Sequence, residues 1–170
     1  DDVVVQVGEQ NNNFQGSLNN MMLYYHPIDS NDNSVWDEIV KNTDVKIIHL
    51  VRNQMLETYV SKLIAEKTNN WSQRGGKAKS LAEKSVNVDI KECIKEFEQI
   101  ASWENDTRSM FGNHPFFELS YEELIGKREM MMNEVSNFLD VKKFNFKSKL
   151  KKQNPENLSK LILNFKELET

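Results

Sequence analysis

Arg52, which stands between an apolar run and an amphipathic segment, is the residue of this sequence best placed to bind a phosphate group. The apolar and β-branched run at residues 45–51 predicts a short buried strand, and Arg52 follows it directly. An amphipathic pattern over residues 54–66 predicts a helix that carries Ser61. The carboxyl end of a strand faces the ligand crevice of an α/β sheet, a helix N-terminus attracts anions, and a guanidinium binds oxygens in a fixed fork. An arginine between the end of a strand and the start of a helix therefore predicts a phosphate site at Arg52.

A second cationic feature is a lysine-rich segment between Val141 and Pro155. Beside a phosphate site, such a run would raise the local concentration of a polyanionic ligand. The alternative is an ordinary solvated loop. The segment contains no acidic residue and six lysines, at positions 142, 143, 147, 149, 151 and 152.

Composition limits the classes of function. At 170 residues, the chain has the size of one domain, and we predict a single domain over residues 1–170. The formal net charge of −4 argues against general nucleic-acid binding. The single cysteine allows no intrachain disulfide and fits a reducing compartment, so we expect a cytoplasmic protein. The three histidines show no metal-ligand spacing, so we expect no metal site. No apolar run is long enough to cross a membrane, so we expect no membrane span.

Strands and helices alternate along the predicted secondary structure, with polar loops at residues 67–86 and over most of 10–34. This alternation predicts an α/β fold with three layers, in which a parallel sheet is flanked by helices. An incomplete sheet would leave an open edge that favours pairing with a second copy, which predicts a homodimer. Strands are predicted at residues 3–7, 45–51 and 114–119, helices at 54–66, 88–110 and 129–139, and further helix starts at Ser34, Ser120 and Asn154.

Four segments in this order resemble the sulfotransferases that use 3′-phosphoadenosine-5′-phosphosulfate (PAPS), especially the bacterial type that includes a trehalose sulfotransferase. The segments are KIIHLVRN followed by YVSKLIA, then Trp71 after that helix, then PFFELSYEELI followed by VSNFLDV, and finally KKQNPENLSKLILNFKEL. Together they extend over about residues 45 to 168. The resemblance implies a P-loop-like architecture and transfer of a sulfuryl group from PAPS to a hydroxyl of a carbohydrate or another small acceptor.

The resemblance also implies roles for residues on the donor side. Arg52 and Ser61 would bind the 3′-phosphate of PAPS and of the product adenosine 3′,5′-bisphosphate (PAP). Lys152 and Gln153 lie in the segment that carries basic residues over this phosphate in many sulfotransferases. No metal is implied, because lysine and arginine can balance the charge of the donor.

On the acceptor side, the resemblance points to three residues. Glu9, in the sequence VGEQ, resembles the glutamate that acts as general base in the group of the trehalose enzyme. A base is needed because the acceptor hydroxyl loses its proton as it attacks sulfur. Trp71 and Arg74 would line the acceptor site, since an aromatic face suits a sugar.

One family motif has no counterpart in this sequence. The loop that binds the 5′-phosphosulfate, of the type Arg-Ser-Gly-Ser-Thr, is absent, and in relatives it precedes a Gly-Glu pair such as Gly8-Glu9. We therefore expect that the chain begins just after this loop, the alternative being a divergent family member that never had it. As given, the chain is expected to bind the nucleotide but to show little sulfuryl transfer. Two alternatives are a non-catalytic α/β binding module and a nucleotide kinase-like phosphotransferase. The second is disfavoured because no Walker lysine is visible.

Overall fold

The computed structural model describes five stretches of the chain, which divide into two compact units. The first unit comprises Asp1–Asn53 and Ala101–Asn145, and the second comprises Gln54–Ile100 and Phe146–Thr170. Both helices and strands are present, as the α/β prediction required. The described residues are 2–6, 21–24, 34–71, 79–142 and 154–168.

The first unit contains a four-stranded sheet with the order β2-β1-β3-β4. Strands β3 and β4 are parallel, and Val51 pairs in register with Ser120 at their carboxyl ends. Strand β1 pairs antiparallel with both of its neighbours. The predicted parallel pairing is therefore confirmed for β3 and β4 only, and the sheet is mixed. Antiparallel strands can be joined without a crossover helix, whereas parallel strands such as β3 and β4 need one. The strands are β1 (Asp2–Gln6), β2 (Met21–Tyr24), β3 (Lys46–Val51) and β4 (Phe116–Ser120).

Strand β3 lies between β1 and β4, and both of its faces are buried. Ile47 packs with Ile39 of helix α1 (Ser34–Lys41) and with Phe111, which follows helix α4 (Ile90–Met110). On the opposite face, Ile48 packs with Leu119 and with Met131 of helix α6 (Arg128–Leu139). Successive strand residues point to opposite faces, so an unbroken apolar run is what a doubly covered strand requires.

Helix α5 (Tyr121–Gly126) begins directly after β4, at the predicted capping box. The Ser120 side chain accepts a hydrogen bond from the Glu123 N–H, and the Glu123 carboxylate accepts one from the Ser120 N–H. This reciprocal pair satisfies N–H groups that the first helical turn leaves without partners. The turn between β4 and α5 is therefore fixed by local chemistry.

The second unit packs helix α2 (Met55–Thr68) against a short helix and the C-terminal segment around one apolar cluster. Val86 forms a parallel β-bridge with Ile162, and both are buried. The C-terminal segment contributes helix α7 (Leu158–Leu161) and a 3₁₀ turn (Phe165–Leu168). The buried members of the cluster are Tyr59, Val60, Ile64, Val86, Val88, Cys93, Leu161 and Ile162.

Two local predictions were wrong. Residues 67–86 are not a continuous loop, because α2 runs to Thr68 and a capping box at Ser80 starts helix α3 (Leu81–Lys84). The last helix begins after Asn157 rather than at Asn154, because the Asn157 side chain accepts the Ser159 N–H.

None of the described helices combines the length and apolar character that crossing a membrane requires. Within the same stretches, no group of three or more histidine, cysteine, aspartate or glutamate side chains could hold a metal ion.

Candidate functional site

The Arg52 side chain lies at the carboxyl end of β3 and stacks on an aromatic ring. Its guanidinium carbon is 3.4 Å from the centroid of the Tyr121 ring. Tyr121 is the first residue of α5, and Ser120 before it pairs with Val51 before Arg52. The register of two parallel strands therefore brings the two residues together. A cation over an aromatic face is attracted by the quadrupole of the ring.

Stacking occupies the face of the Arg52 guanidinium and leaves its N–H groups pointing outward in the plane of the fork. Arg52 is half-buried and forms no ion pair with any residue in the part of the chain that the structure describes. Its charge is therefore not neutralised by a carboxylate from these residues. This arrangement suits an arginine that binds an external anion with two parallel hydrogen bonds.

A backbone contact also joins the two strand ends. The Asn53 N–H donates a hydrogen bond to a carboxylate oxygen of Glu122 at 3.1 Å. The neighbouring Glu123 is held in the capping box, and the Ser120 hydroxyl and N–H hydrogen bonds lower the pKa of the Glu123 carboxyl. The turns after β3 and β4 are thus connected by a stacked pair and a hydrogen bond.

Ser61 belongs to the second unit, where it lies half-buried on α2. The Asn154 side-chain amide donates a hydrogen bond to the Ser61 hydroxyl oxygen at 3.0 Å. Because the oxygen accepts this bond, the hydroxyl proton is left to donate to another acceptor. Asn154 is itself 8% exposed. A serine oriented in this way can contribute a donor to an anion.

Further contacts fasten the C-terminal segment within the second unit. The buried Lys84 ammonium is 3.0 Å from a Glu156 carboxylate oxygen. Burial acts to raise the pKa of the Glu156 carboxyl, but the hydrogen bond and the charge of Lys84 together with a backbone hydrogen bond outweigh it, and the net pKa is lowered. The Asn164 side chain accepts from the Val88 N–H and donates to the Val88 carbonyl, both at 2.9 Å. These contacts hold the segment that begins with Asn154.

The other residues predicted for the site are described only in part. Trp71 follows the C-terminus of α2, and 64% of its surface is exposed. The remaining predicted residues, Glu9, Arg74, Lys152 and Gln153, lie outside the described residues.

Sequence reasoning missed a polar network on β3 and β4. His49 is fully buried, and its Nδ1 is 2.9 Å from a carboxylate oxygen of Glu118, its register partner on β4. Burial lowers the pKa of the His49 ring, which keeps the ring neutral at neutral pH. A carboxylate only accepts, so Nδ1 carries the proton and donates it. Polar residues in the middle of two apolar strands, at paired positions, were the signal for this contact.

Arg108, on α4, completes the polar network. Its Nε and Nη2 donate to the two oxygens of the Glu118 carboxylate at 2.7 and 3.2 Å. Nη2 also lies 3.4 Å from a carboxylate oxygen of Glu104. Glu104 is buried, and burial raises the pKa of its carboxyl. This network has a structural rather than a ligand-binding role, because the Arg108 cation is paired with carboxylates of the protein itself.

Comparison with known protein families gives one result for this chain. The model of the sulfotransferase family matches residues 43–145, which is more than half of the sequence. The matched region includes Arg52, Ser61, Trp71 and Tyr121. Neither the curated proteins nor the solved structures gave a match.

Proposed function

Because the chain belongs to the sulfotransferase family, we propose that it takes part in the transfer of a sulfuryl group from PAPS to a hydroxyl of a carbohydrate or another small acceptor. Arg52 binds the 3′-phosphate of the donor in this proposal. The observation that carries it is the stacked guanidinium at the end of β3, which forms no ion pair with any described residue. The framework in this proposal is a P-loop-like architecture of three layers, with a sheet between helices.

Ser61 donates its hydroxyl proton to the same phosphate in this proposal. The hydrogen bond from Asn154 supports this role, because it occupies the oxygen and not the proton of the hydroxyl. Lys152 and Gln153, which directly precede Asn154 in the sequence, add charge and donors to the phosphate. The family resemblance assigns all four residues to one phosphate group.

Sulfuryl transfer requires the acceptor oxygen, the sulfur and the leaving phosphate oxygen to lie in line. Arg52 and Ser61 act on the distant 3′-phosphate, so they set the position of the donor rather than stabilise the reacting sulfur. Glu9 takes the proton of the acceptor hydroxyl as general base. Trp71 offers its exposed ring to a sugar face, with Arg74 beside it in sequence. A cytoplasmic location, the bacterial type of sulfotransferase and a homodimer stay predictions.

Nucleotide binding tests the phosphate site. Calorimetric titration of PAP into the protein and into Arg52→Ala is expected to show an affinity about 30- to 100-fold weaker in the variant, on the scale of a charge-assisted hydrogen-bonded contact. The same titration with adenosine 5′-monophosphate, which lacks the 3′-phosphate, is expected to give equal affinities. Ser61→Ala is expected to lose about three- to tenfold for PAP, the scale of a neutral hydrogen bond.

Arg128→Ala is the matched control. Arg128 is exposed at the start of α6 in the same unit, so its removal changes the net charge equally without changing the site. PAP affinity should stay within about twofold of the original protein, since exposed charges in solution are screened by salt. Equal PAP affinity in Arg52→Ala and the original protein would remove Arg52 from the proposed site.

A further inference from the structure

We propose that Lys84 is a positioning residue: its ion pair with Glu156 fixes the start of the C-terminal segment and thereby raises affinity for the 3′-phosphate, without Lys84 touching the nucleotide. This inference rests on the proposed function of the phosphate site. Its basis is a buried ammonium group that lies 3.0 and 3.2 Å from the two carboxylate oxygens of Glu156.

The burial of Lys84 distinguishes it from the other paired lysines. Its side chain is 7% exposed, whereas the lysines of the other described ion pairs are between 26% and 68% exposed. Burying two charges costs free energy, and apolar side chains could fill the same space without that cost. What an ion pair adds is direction, because it holds one particular residue of the partner segment in place. The pair therefore suits a positioning role.

Glu156 belongs to a tripeptide, residues 154–156, that is anchored at both ends. At one end, the Asn154 amide donates to the Ser61 hydroxyl oxygen at 3.0 Å. At the other end, the Glu156 carboxylate meets Lys84. Between them, Pro155 fixes its own φ angle and restricts the residue before it to extended conformations. The tripeptide thus has little freedom between its two anchors.

Both anchors lead back to helix α2. Ser61 lies on α2 itself, and Lys84 is the last residue of α3. The end of α3 is tied to α2 as well, because the Lys67 ammonium donates to the Ser85 carbonyl at 2.6 Å. These contacts form a closed circuit within the second unit. The tripeptide is therefore fixed relative to the helix that carries the proposed serine ligand.

The expected benefit is a lower entropic cost of binding. Lys152 and Gln153 directly precede Asn154 in the sequence, so the anchored tripeptide is one fixed end of the segment that carries them. Ordering a lysine side chain and its backbone on a ligand costs conformational entropy. Fixing the adjacent chain during folding reduces the part of this cost that opposes binding. Lys84 acts in this way although Glu156 already balances its charge.

Titrations of PAP and of adenosine 5′-monophosphate test this role. Lys84→Met keeps a long unbranched side chain without the ammonium, and it is expected to bind PAP about three- to tenfold more weakly. Its affinity for the monophosphate, which lacks the 3′-phosphate, is expected to stay within about twofold. Glu156→Gln can still accept from Lys84 and should show a smaller loss for PAP. Circular dichroism checks folding, and Glu156→Gln carries the test alone where Lys84→Met does not fold.

Lys160→Met is the matched control for charge. Lys160 is exposed on α7, in the same unit and on the same segment, and its PAP affinity should stay within about twofold because exposed charges are screened by salt. A loss in Lys160→Met equal to that in Lys84→Met would mean that net charge, and not the ion pair, determines affinity, and would overturn the inference.

A double-mutant cycle with Lys152→Ala separates positioning from an independent effect. Because Lys84 acts through the segment that carries Lys152, the double variant should lose less PAP affinity than the product of the two single losses. Losses that multiply, an equal loss for the monophosphate, or unchanged PAP affinity in folded Lys84→Met would each overturn the inference. An original protein that binds PAP no more tightly than the monophosphate would instead refute the proposed phosphate site.

Discussion

Two arginines of the first unit, Arg52 and Arg108, are held in opposite ways. The Arg108 guanidinium meets the Glu118 carboxylate with two hydrogen bonds, and it also meets Glu104 and the Asn105 side chain. The Arg52 guanidinium lies on the Tyr121 ring, with no ion pair to any residue that the structure describes. One cation is neutralised inside the protein, and the other is oriented without being neutralised.

The difference shows what makes an arginine available for binding. Both residues are arginines and both are partly exposed, so neither residue type nor exposure distinguishes them. The partner distinguishes them, because carboxylates use the same in-plane donors that a phosphate would use. We therefore expect Arg108 to act on stability and Arg52 to act on nucleotide affinity.

Arg108→Ala should produce the largest effect on the stability side of this comparison. It leaves the Glu118 and Glu104 carboxylates without their cation, and both are at least partly buried. We expect the free energy of unfolding to fall by about 2 kcal/mol, within the range for loss of charged hydrogen bonds. Urea denaturation measures this change. PAP affinity, measured by calorimetry, should be unchanged, and a loss of affinity without a loss of stability would contradict the comparison.

A smaller effect is expected from the titration of Glu118. Burial acts to raise the pKa of its carboxyl, but the hydrogen bonds from Arg108 and His49 outweigh it, and the net pKa is lowered. A lowered pKa in the folded state means that Glu118 stabilises the fold above its unfolded pKa of about 4.3, and that this contribution is lost as the pH falls below that value.

Urea midpoints measured between about pH 5 and pH 3 check this expectation. Glu118→Gln should lose less stability over this interval than the original protein, by about 1 kcal/mol. Arg52→Ala should follow the original protein, since Arg52 forms no ion pair with a described carboxylate. Parallel curves for Glu118→Gln and the original protein would show that the carboxylate is not stabilised by its partners.

The smallest effect should come from Glu104→Gln. Burial raises the pKa of the Glu104 carboxyl, and its Oε1 has no hydrogen-bond partner among the described residues. When the pKa of an acid is raised by folding, the free energy of unfolding falls as the pH rises through that pKa. The ionised Glu104 side chain therefore destabilises the fold at neutral pH. The amide removes the charge and can still accept from Arg108. We expect a gain of up to about 1 kcal/mol at pH 7 and none near pH 4, and destabilisation at pH 7 would contradict this account.

The parts of the fold that follow from local chemistry could be predicted from the sequence. Strand β3 was predicted from its unbroken run of apolar residues, which is the pattern of a strand that is buried on both faces. The start of α5 was predicted because Ser120 and Glu123 have capping-box spacing, and the structure contains both bonds. The same spacing at Ser80 and Glu83 starts α3, but its polar surroundings favoured a loop prediction.

Contacts between distant residues could not be predicted in the same way. Asn154 has the residue type of a helix cap, yet its side chain bonds to Ser61, 93 positions earlier, and Asn157 caps the helix instead. The sequence indicated Arg52 as a phosphate ligand but not Tyr121 as its partner, although both lie in segments that resemble the sulfotransferases. Their proximity depends on the pairing of β3 with β4, and strand pairing is not encoded in either segment alone.

The shared register of β3 and β4 has a consequence for how this sequence can change over evolution. Side chains alternate along a strand, so inserting or deleting one residue between Phe116 and Ser120 would turn every following side chain to the other face. Such a change would separate Glu118 from His49 and Tyr121 from Arg52 in a single event. The length of this five-residue strand thus controls two separate contacts at once, one in the buried polar network and one at the edge of the sheet.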